Sequence, residues 1–263
     1  GRIFTDDSNF PRKRVKSKFE AKCLQWGVVT TINAPTESVL HVAQLSAWCL
    51  VVVGDKKTPE PYELPLLSGS YYLGRNEQEE FCSKFDDFCT GIPWNHFGRK
   101  NIGYLYAIAH GATQIWDFDD DNVLLTAMPP HISDNIVMKQ VHGTNDCHVF
   151  NPYPQMGGPL GDEHPSWPRG IPLDLISIPC DFDVKKVKNP LEINVGIIQS
   201  LANNEPDVDA IYRLTRGTPF DFDKKKEWIV LANNFLAPYN AQATVVSGAA
   251  LWSLFLPMTV HSR

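Results

Sequence analysis

Between Ala112 and Leu125 the chain reads ATQIWDFDDDNVLL, an apolar run that ends in Asp117, Asp119, Asp120 and Asp121. The segment TQIWDF has the composition of a buried strand, and it delivers four carboxylates within five positions. Carboxylates that close repel one another, and each raises its neighbour's pKa unless a cation intervenes. A bound metal, a basic partner or plain solvent could answer that demand.

Working outward, strands and helices alternate. WGVVTTI (26–32) is a β-branched run that reads as a buried strand. NAPTESVLHVAQLS (33–46) opens with a cap-and-proline signal at Asn33 and Pro35 and carries Val39, Leu40, Val42 and Ala43, which predicts a helix. WCLVVVGD (48–55) is a second apolar strand, ended by Gly54 and Asp55, and RNEQEEFCSKFDDFC (75–89) reads as one more helix. GRKNIGYLYAIAHG (98–111) puts Ile102, Leu105, Tyr106 and Ala109 on one helical face, with Gly111 as a stop. Strand–helix alternation of this kind predicts a mainly parallel central sheet with flanking helices. In such sheets ligands bind outside the carboxyl ends of the strands, where the TTINAPT turn, Asp55 and the aspartates all fall. Residues 128–167 read as long loops, while PLEINVGIIQSL (190–201) and ALWSLFLPMTV (250–260) read as further strands.

The whole chain sets bounds. Its 263 residues, 43% hydrophobic and 21% charged, are those of an ordinary globular protein. A net charge of −6 argues against a nucleic-acid partner, which needs a basic footprint. The one strong basic run, RKRVKSK (12–18), reads as a solvated arm over residues 1–20, ahead of a single domain over 21–263. The longest apolar stretch, Val245 to Val260, carries two serines, a glycine and a proline and falls short of the ~20 residues a span needs. The chain reads as an excised domain, so any membrane anchor is expected outside it. The six cysteines show no C-x-x-C pair and no zinc spacing; most read as buried thiols, with Cys82 and Cys89 able to pair in an oxidising compartment.

An EF-hand counted from Asp117 fails, because position six is Asn122 rather than Gly and position twelve is Met128 rather than Glu. On an extended segment Asp119 and Asp121 share a face while Asp120 turns away, and two carboxylates with open positions left for phosphate oxygens suit Mn²⁺ or Mg²⁺. The bland alternative is a solvated acidic turn. GRKNIG (98–103) lacks the lysine of a Walker motif, since Tyr104 follows it; Arg99 and Lys100 read by themselves as a solvated basic turn, and as a diphosphate contact once placed at the start of the helix that precedes the aspartate strand. The histidines form no H-E-x-x-H and no close ligand pair, and no G-x-S-x-G or G-x-G-x-x-G occurs, which lowers hydrolase and nicotinamide readings.

TTINAPTESVL, CLVVVGDKKTP, PWNHFGRKNIGYLYAIAHGATQIWDFDDDN, FLAPYNAQAT and LPMTVHSR together closely resemble the STELLO proteins, Golgi-anchored and glycosyltransferase-like. The aspartate triplet, WPRGIPL and EPDVDAIYRL show a fainter likeness to the reversibly glycosylated polypeptides, the UDP-arabinopyranose mutases. Both resemblances imply a GT-A-like nucleotide-sugar-binding α/β domain with a D-x-D motif and a divalent metal, Mn²⁺ or else Mg²⁺. They imply Asp119, Asp121 and His261 as metal ligands. Thr31, Asn33, Asp55, Arg99, Lys100, Asp120, Arg169 and Arg263 become nucleotide-sugar contacts. Asp207 and Asp209, in the mutase-like segment, become candidates for a base or a sugar-hydroxyl ligand, with a cap or turn role as the alternative. The implied activity is transfer from a UDP-sugar to a glycan or protein acceptor in the Golgi lumen. A non-catalytic scaffold for other glycan-synthesis enzymes and a UDP-sugar mutase are the rivals. The resemblance implies that the STELLO anchor is to be expected outside residues 1–263 and that the family motif is to be expected to continue past Arg263.

Overall fold

Val51 and Val53 face one side of the central sheet and Leu50 and Val52 the other, all fully buried, so their strand needs apolar residues at every position. The computed structural model that shows this describes residues 23–65, 69–133, 136–144, 147–176, 181–223, 226–233 and 235–259. The basic arm and the end from residue 260 onward lie outside the described residues.

Four strands come first: β1 (Gln25–Thr31), β2 (Cys49–Gly54), β3 (Ser70–Leu73) and β4 (Gln114–Phe118). They are followed by β5 (Met138–Gly143), β6 (Phe182–Lys186), β7 (Ile197–Gln199), β8 (Trp228–Leu231) and β9 (Ala243–Ser247). A six-stranded sheet has the order β3-β2-β1-β4-β9-β7, and a three-stranded one the order β6-β5-β8. The ladders β1–β2, β1–β4 and β2–β3 are parallel, whereas β9 pairs antiparallel with both β4 and β7. The sheet is therefore mixed, which corrects the mainly parallel expectation; reversal at β9 brings residues 240–242 directly beside the aspartate loop.

The helices are α1 (Glu37–Val42), α2 (Arg75–Cys82), α3 (Asp86–Thr90), α4 (Lys100–Ala109), α5 (Pro152–Gln155), α6 (Leu173–Ile176) and α7 (Ala210–Thr215). Helix α4 lays Ile102, Tyr104 and Ala107 on Val28, Val51 and Val53, while Val39 and Val42 of α1 cover Leu50, Val52 and Phe118 on the opposite face. Gly103 lets α4 sit this close. A Cβ there would stand 2.6 Å from Val28 Cγ1 and 2.9 Å from Val53 Cγ2. Gly103→Ala should gain about 1 kcal/mol of helix propensity but lose about 1–3 kcal/mol to overpacking, since buried β-branched methyls cannot turn aside. We expect a lower urea midpoint at unchanged m-value; a midpoint at or above the parent's would show that the strands yield freely.

Several local expectations need correction. Thr36, not Asn33, caps α1, its hydroxyl accepting from Val39 N at 3.3 Å. Residues 75–89 form two helices, α2 and α3, joined by a Cys82–Cys89 disulfide, and Cys23 is bonded to Cys49 rather than being a thiol. Ala109 is exposed; Ala107 takes its place on the buried face of α4. The stretch read as loops holds β5 and α5. Within 190–201 only Ile197–Gln199 is a strand, and Gly248–Ser253 is a 3-10 helix where a strand was expected. The strand that does pair there is the five-residue β9 just before it.

Candidate active site at the carboxyl ends of β1, β2 and β4

The aspartates leave β4 in a turn, closed by Asn122 N donating to Asp119 O at 3.1 Å, rather than on an extended segment. Consequently the carboxylates diverge instead of alternating. Asp120 turns back to the end of β1, where Oδ2 accepts from the Thr31 hydroxyl and, at 3.0 Å, from Asn33 Nδ2. Thr36 Oγ1 bonds Asp120 O, and Ser38 Oγ donates to Asn122 O at 2.6 Å, so the start of α1 and the aspartate loop are stitched together.

Asp119 leans inward. Its Oδ1 lies 2.9 Å from Lys100 Nζ, which also donates to Phe118 O at 2.9 Å and Ala241 O at 2.8 Å. Three hydrogen bonds use every donor of an ammonium, and Asp117 Oδ1 adds an ion-pair contact at 2.7 Å that lacks hydrogen-bond alignment. Lys100 is thus an internal counter-ion and not a diphosphate contact. Burial works against its charge, but Asp117 and Asp119 outweigh it and hold the pKa above its ordinary value. Tyr104 OH donates to the second oxygen of Asp117, completing a buried group that the aspartate count had hinted at without locating.

Arg99 is likewise turned inward. It is 4% exposed. Nε and Nη2 donate to Gln78 Oε1 at 2.9 and 2.6 Å, Nη1 donates to Ile92 O at 3.1 Å, and Cζ stacks 3.4 Å above the Trp94 ring. Burial pulls its pKa down to about 10, against the pull of Asp55 and Glu79. As Gln78 Nε2 holds the last carbonyls of β2 and β3, each at 2.7 Å, Arg99 braces the strand ends and does not reach out to a nucleotide. Asp55 follows β2 as expected, and its carboxylate accepts from Lys56 N at 2.6 Å, Asn95 N at 2.8 Å and His96 N at 3.3 Å. It anchors the Trp94–Phe97 loop over the strand ends.

Asp121 is exposed and has no side-chain partner among the described residues. Partial burial first, then Asp119 and Asp120, raise its carboxyl. Its carboxylate and the outer oxygen of Asp119, whose side chain is 44% exposed, are hard oxygen donors of the kind a divalent cation takes. No group of three His, Cys, Asp or Glu side chains among the described residues is disposed to hold a metal. His261 and Arg263, expected as metal ligand and phosphate contact, lie outside the described residues.

Beyond the loop, Asp207 Oδ1 pairs with Arg169 Nη2 at 2.8 Å, and Oδ2 accepts from Asn240 Nδ2 at 3.2 Å. Arg169 is therefore held by the carboxylate two positions from Asp209, with 64% of its side chain open to solvent. Asp209 itself caps α7, accepting from Ile211 N at 2.8 Å, so the cap role that stood as its alternative is the one it fills.

No protein-family model matches the chain. It is similar to two curated proteins of Arabidopsis thaliana: the probable glycosyltransferase STELLO2, 29% identical over 256 residues, and the probable glycosyltransferase STELLO1, 28% identical over 256 residues. Each match covers 90% of this chain and 31% of the relative, so the chain spans about a third of the length of the curated relatives it matches. The resemblance to the STELLO family drawn from the motifs is borne out.

Proposed function

We propose that the chain is the nucleotide-sugar-binding part of a glycosyltransferase, GT-A-like, that takes a UDP-sugar and a divalent cation and serves a glycan or protein acceptor. The observation that carries this reading is the convergence of Thr31, Asn33, Asp55 and the aspartate loop at the carboxyl ends of adjacent parallel strands, the ligand position of such sheets. The names of the relatives support the reaction class.

Asp121 and the outer oxygen of Asp119 would hold Mn²⁺ or Mg²⁺, with phosphate, water or His261 completing the shell. When bound, the ion would neutralise charge on the departing diphosphate. The chain's own residues do the rest. Asp120, fixed by Thr31 and Asn33, shapes the nucleoside end, and Asp55 sets the loop across from it. Asp207 is the candidate base for an acceptor hydroxyl, with Arg169 beside it. The Cys23–Cys49 and Cys82–Cys89 disulfides suit an oxidising compartment such as the Golgi lumen.

One observation favours a second reading, a nucleotide-binding scaffold for glycan-synthesis enzymes: Lys100 already neutralises part of Asp119. Thermal unfolding separates the cases. UDP should raise the melting temperature only with Mn²⁺ or Mg²⁺ present, by the equivalent of ~2.7 kcal/mol at a hundred times the dissociation constant. An equal shift in excess chelator would contradict the metal bridge, and no shift under any condition would contradict nucleotide binding. Hydrolysis across a UDP-sugar panel then tells enzyme from scaffold.

A further inference from the structure

The segment FLAPYNAQAT is one of the motifs that resemble the STELLO proteins, and the proposed function assigns none of its residues a part in the reaction. Its centre, Asn240 to Gln242, lies just ahead of β9, whose Ala243 is registered against Phe118 at the end of β4. On one side the backbone of this segment is tied to the aspartate loop. Ala241 O accepts from Lys100 Nζ at 2.8 Å, and Gln242 O accepts from Asn122 Nδ2 at 3.2 Å. On the other side, the Asn240 amide donates to Asp207 Oδ2 at 3.2 Å.

Asn240 is itself held from several directions. Its backbone N donates to Gln199 Oε1 at 3.0 Å, its Oδ1 accepts from Gln199 Nε2 at 3.1 Å, and its carbonyl accepts from the Thr244 hydroxyl. Thr244 Oγ1 also meets Gln199 Oε1 at 2.7 Å. The orientation of the Asn240 amide follows from this network. Turned over, it would set a carbonyl oxygen against the Asp207 carboxylate and an NH₂ against that of Gln199. A side chain fixed at one end by β7 and offering a donor at the other is a rigid strut.

We propose that Asn240 is a positioning residue of the transfer reaction: through Ala241 and Gln242 it is built onto the aspartate loop, and through its amide it sets where Asp207 and Arg169 stand relative to that loop. The inference rests on the transferase reading and deepens it. If the diphosphate sits on the aspartate loop and the acceptor on Asp207, the strut fixes the distance between leaving group and base. A loss of placement at that level costs turnover while leaving donor binding intact.

The test uses Asn240→Ala and the isosteric Asn240→Asp, which keeps the packing but turns the donor towards Asp207 into an acceptor. UDP affinity with Mg²⁺, kcat and KM for the UDP-sugar that the parent hydrolyses, and the ¹⁵N–¹H signal of the Arg169 guanidinium are measured for each. We expect UDP affinity and KM within about two-fold of the parent, kcat lower by about 10-fold to 10²-fold, and an Arg169 signal that broadens as its carboxylate partner loses its anchor. Asn240→Asp should fall at least as far as Asn240→Ala, a ranking that lost packing alone would reverse. Unchanged kcat with an unchanged Arg169 signal would overturn the proposal, as would an equal loss of UDP affinity. A parent that hydrolyses no UDP-sugar, with the Arg169 signal still broadening in the variants, would instead sink the transferase reading and leave Asn240 as the anchor of the pair.

Discussion

Lys100→Met is expected to cost about 3–5 kcal/mol of folding stability, the largest effect of any single replacement near the site. A buried partner removed from an ion pair leaves its carboxylates without compensation. Here the side chains of Lys100 and Asp117 are 3% and 2% exposed, and Asp119 loses its inner contact as well. Methionine fills the volume, so the cost is electrostatic rather than a cavity. The pH dependence follows from Asp117, whose carboxyl is pushed up to about 6 by burial even with Lys100 beside it. Without the ammonium it must rise further. A carboxyl whose folded pKa exceeds its unfolded one favours folding at low pH and loses that contribution as pH rises, so the deficit of the variant should grow from about pH 5 to about pH 8. Urea unfolding at both ends of that range measures it. A deficit that is small and flat with pH would mean that Lys100 is no counter-ion. Adding Asp117→Asn should recover part of the loss, because the two sites are coupled.

The second large effect concerns Asp121. Its carboxyl is exposed, without a cationic partner among the described residues, and sits where Asp119 and Asp120 add negative charge. Asp121→Asn removes that charge without altering shape. The gain in UDP affinity that Mn²⁺ confers should fall by at least ~10²-fold, the upper end of what removing a group one shell further out costs. UDP binding in chelator and the melting temperature of the apo protein should stay as in the parent, since an exposed side chain supports no core. Asp121 carries a raised pKa, and a ligand must be deprotonated to bind, so parent affinity for Mn²⁺ should decline as pH falls through that raised value. Calorimetric titration of UDP with Mn²⁺ and with chelator reads both. Equal affinity in parent and variant would move the ion elsewhere.

The parts of this fold that are legible in the sequence are those where one physical signal dominates. β1, β2 and β4 are buried on both faces, so short runs rich in apolar and β-branched residues announce them, and α4 carries a helical period ended by a glycine. β3 and β9 are four and five residues long and owe their pairing to neighbours rather than to pattern. β6, exposed at four of its five positions, offers no alternation at all. Charge shows the same divide. The four aspartates from Asp117 to Asp121 show in the sequence as a demand for a cation, but a sequence gives a side chain's sign without its direction. Lys100 and Arg99, adjacent at a helix start, both turn inward because buried carboxylates and Gln78 claim them first. Tyr104, Gln78 and Asn240 carry no local sign of their roles for the same reason: each acts through a partner distant in the chain. Asp117, the first aspartate of the opening stretch, does register in local spacing, but its buried partners Lys100 and Tyr104 do not.

The measurement that bears most directly on the transferase reading is a crystal structure with UDP and Mn²⁺, recorded at the manganese edge so that anomalous scattering locates the ion. One manganese peak is expected within bonding distance of an Asp121 carboxylate oxygen, with the diphosphate against it and the uridine between the Thr31–Asn33 turn and the loop that Asp55 anchors. A manganese peak away from the aspartate loop, or UDP bound with Asp121 directed to solvent, would contradict that reading.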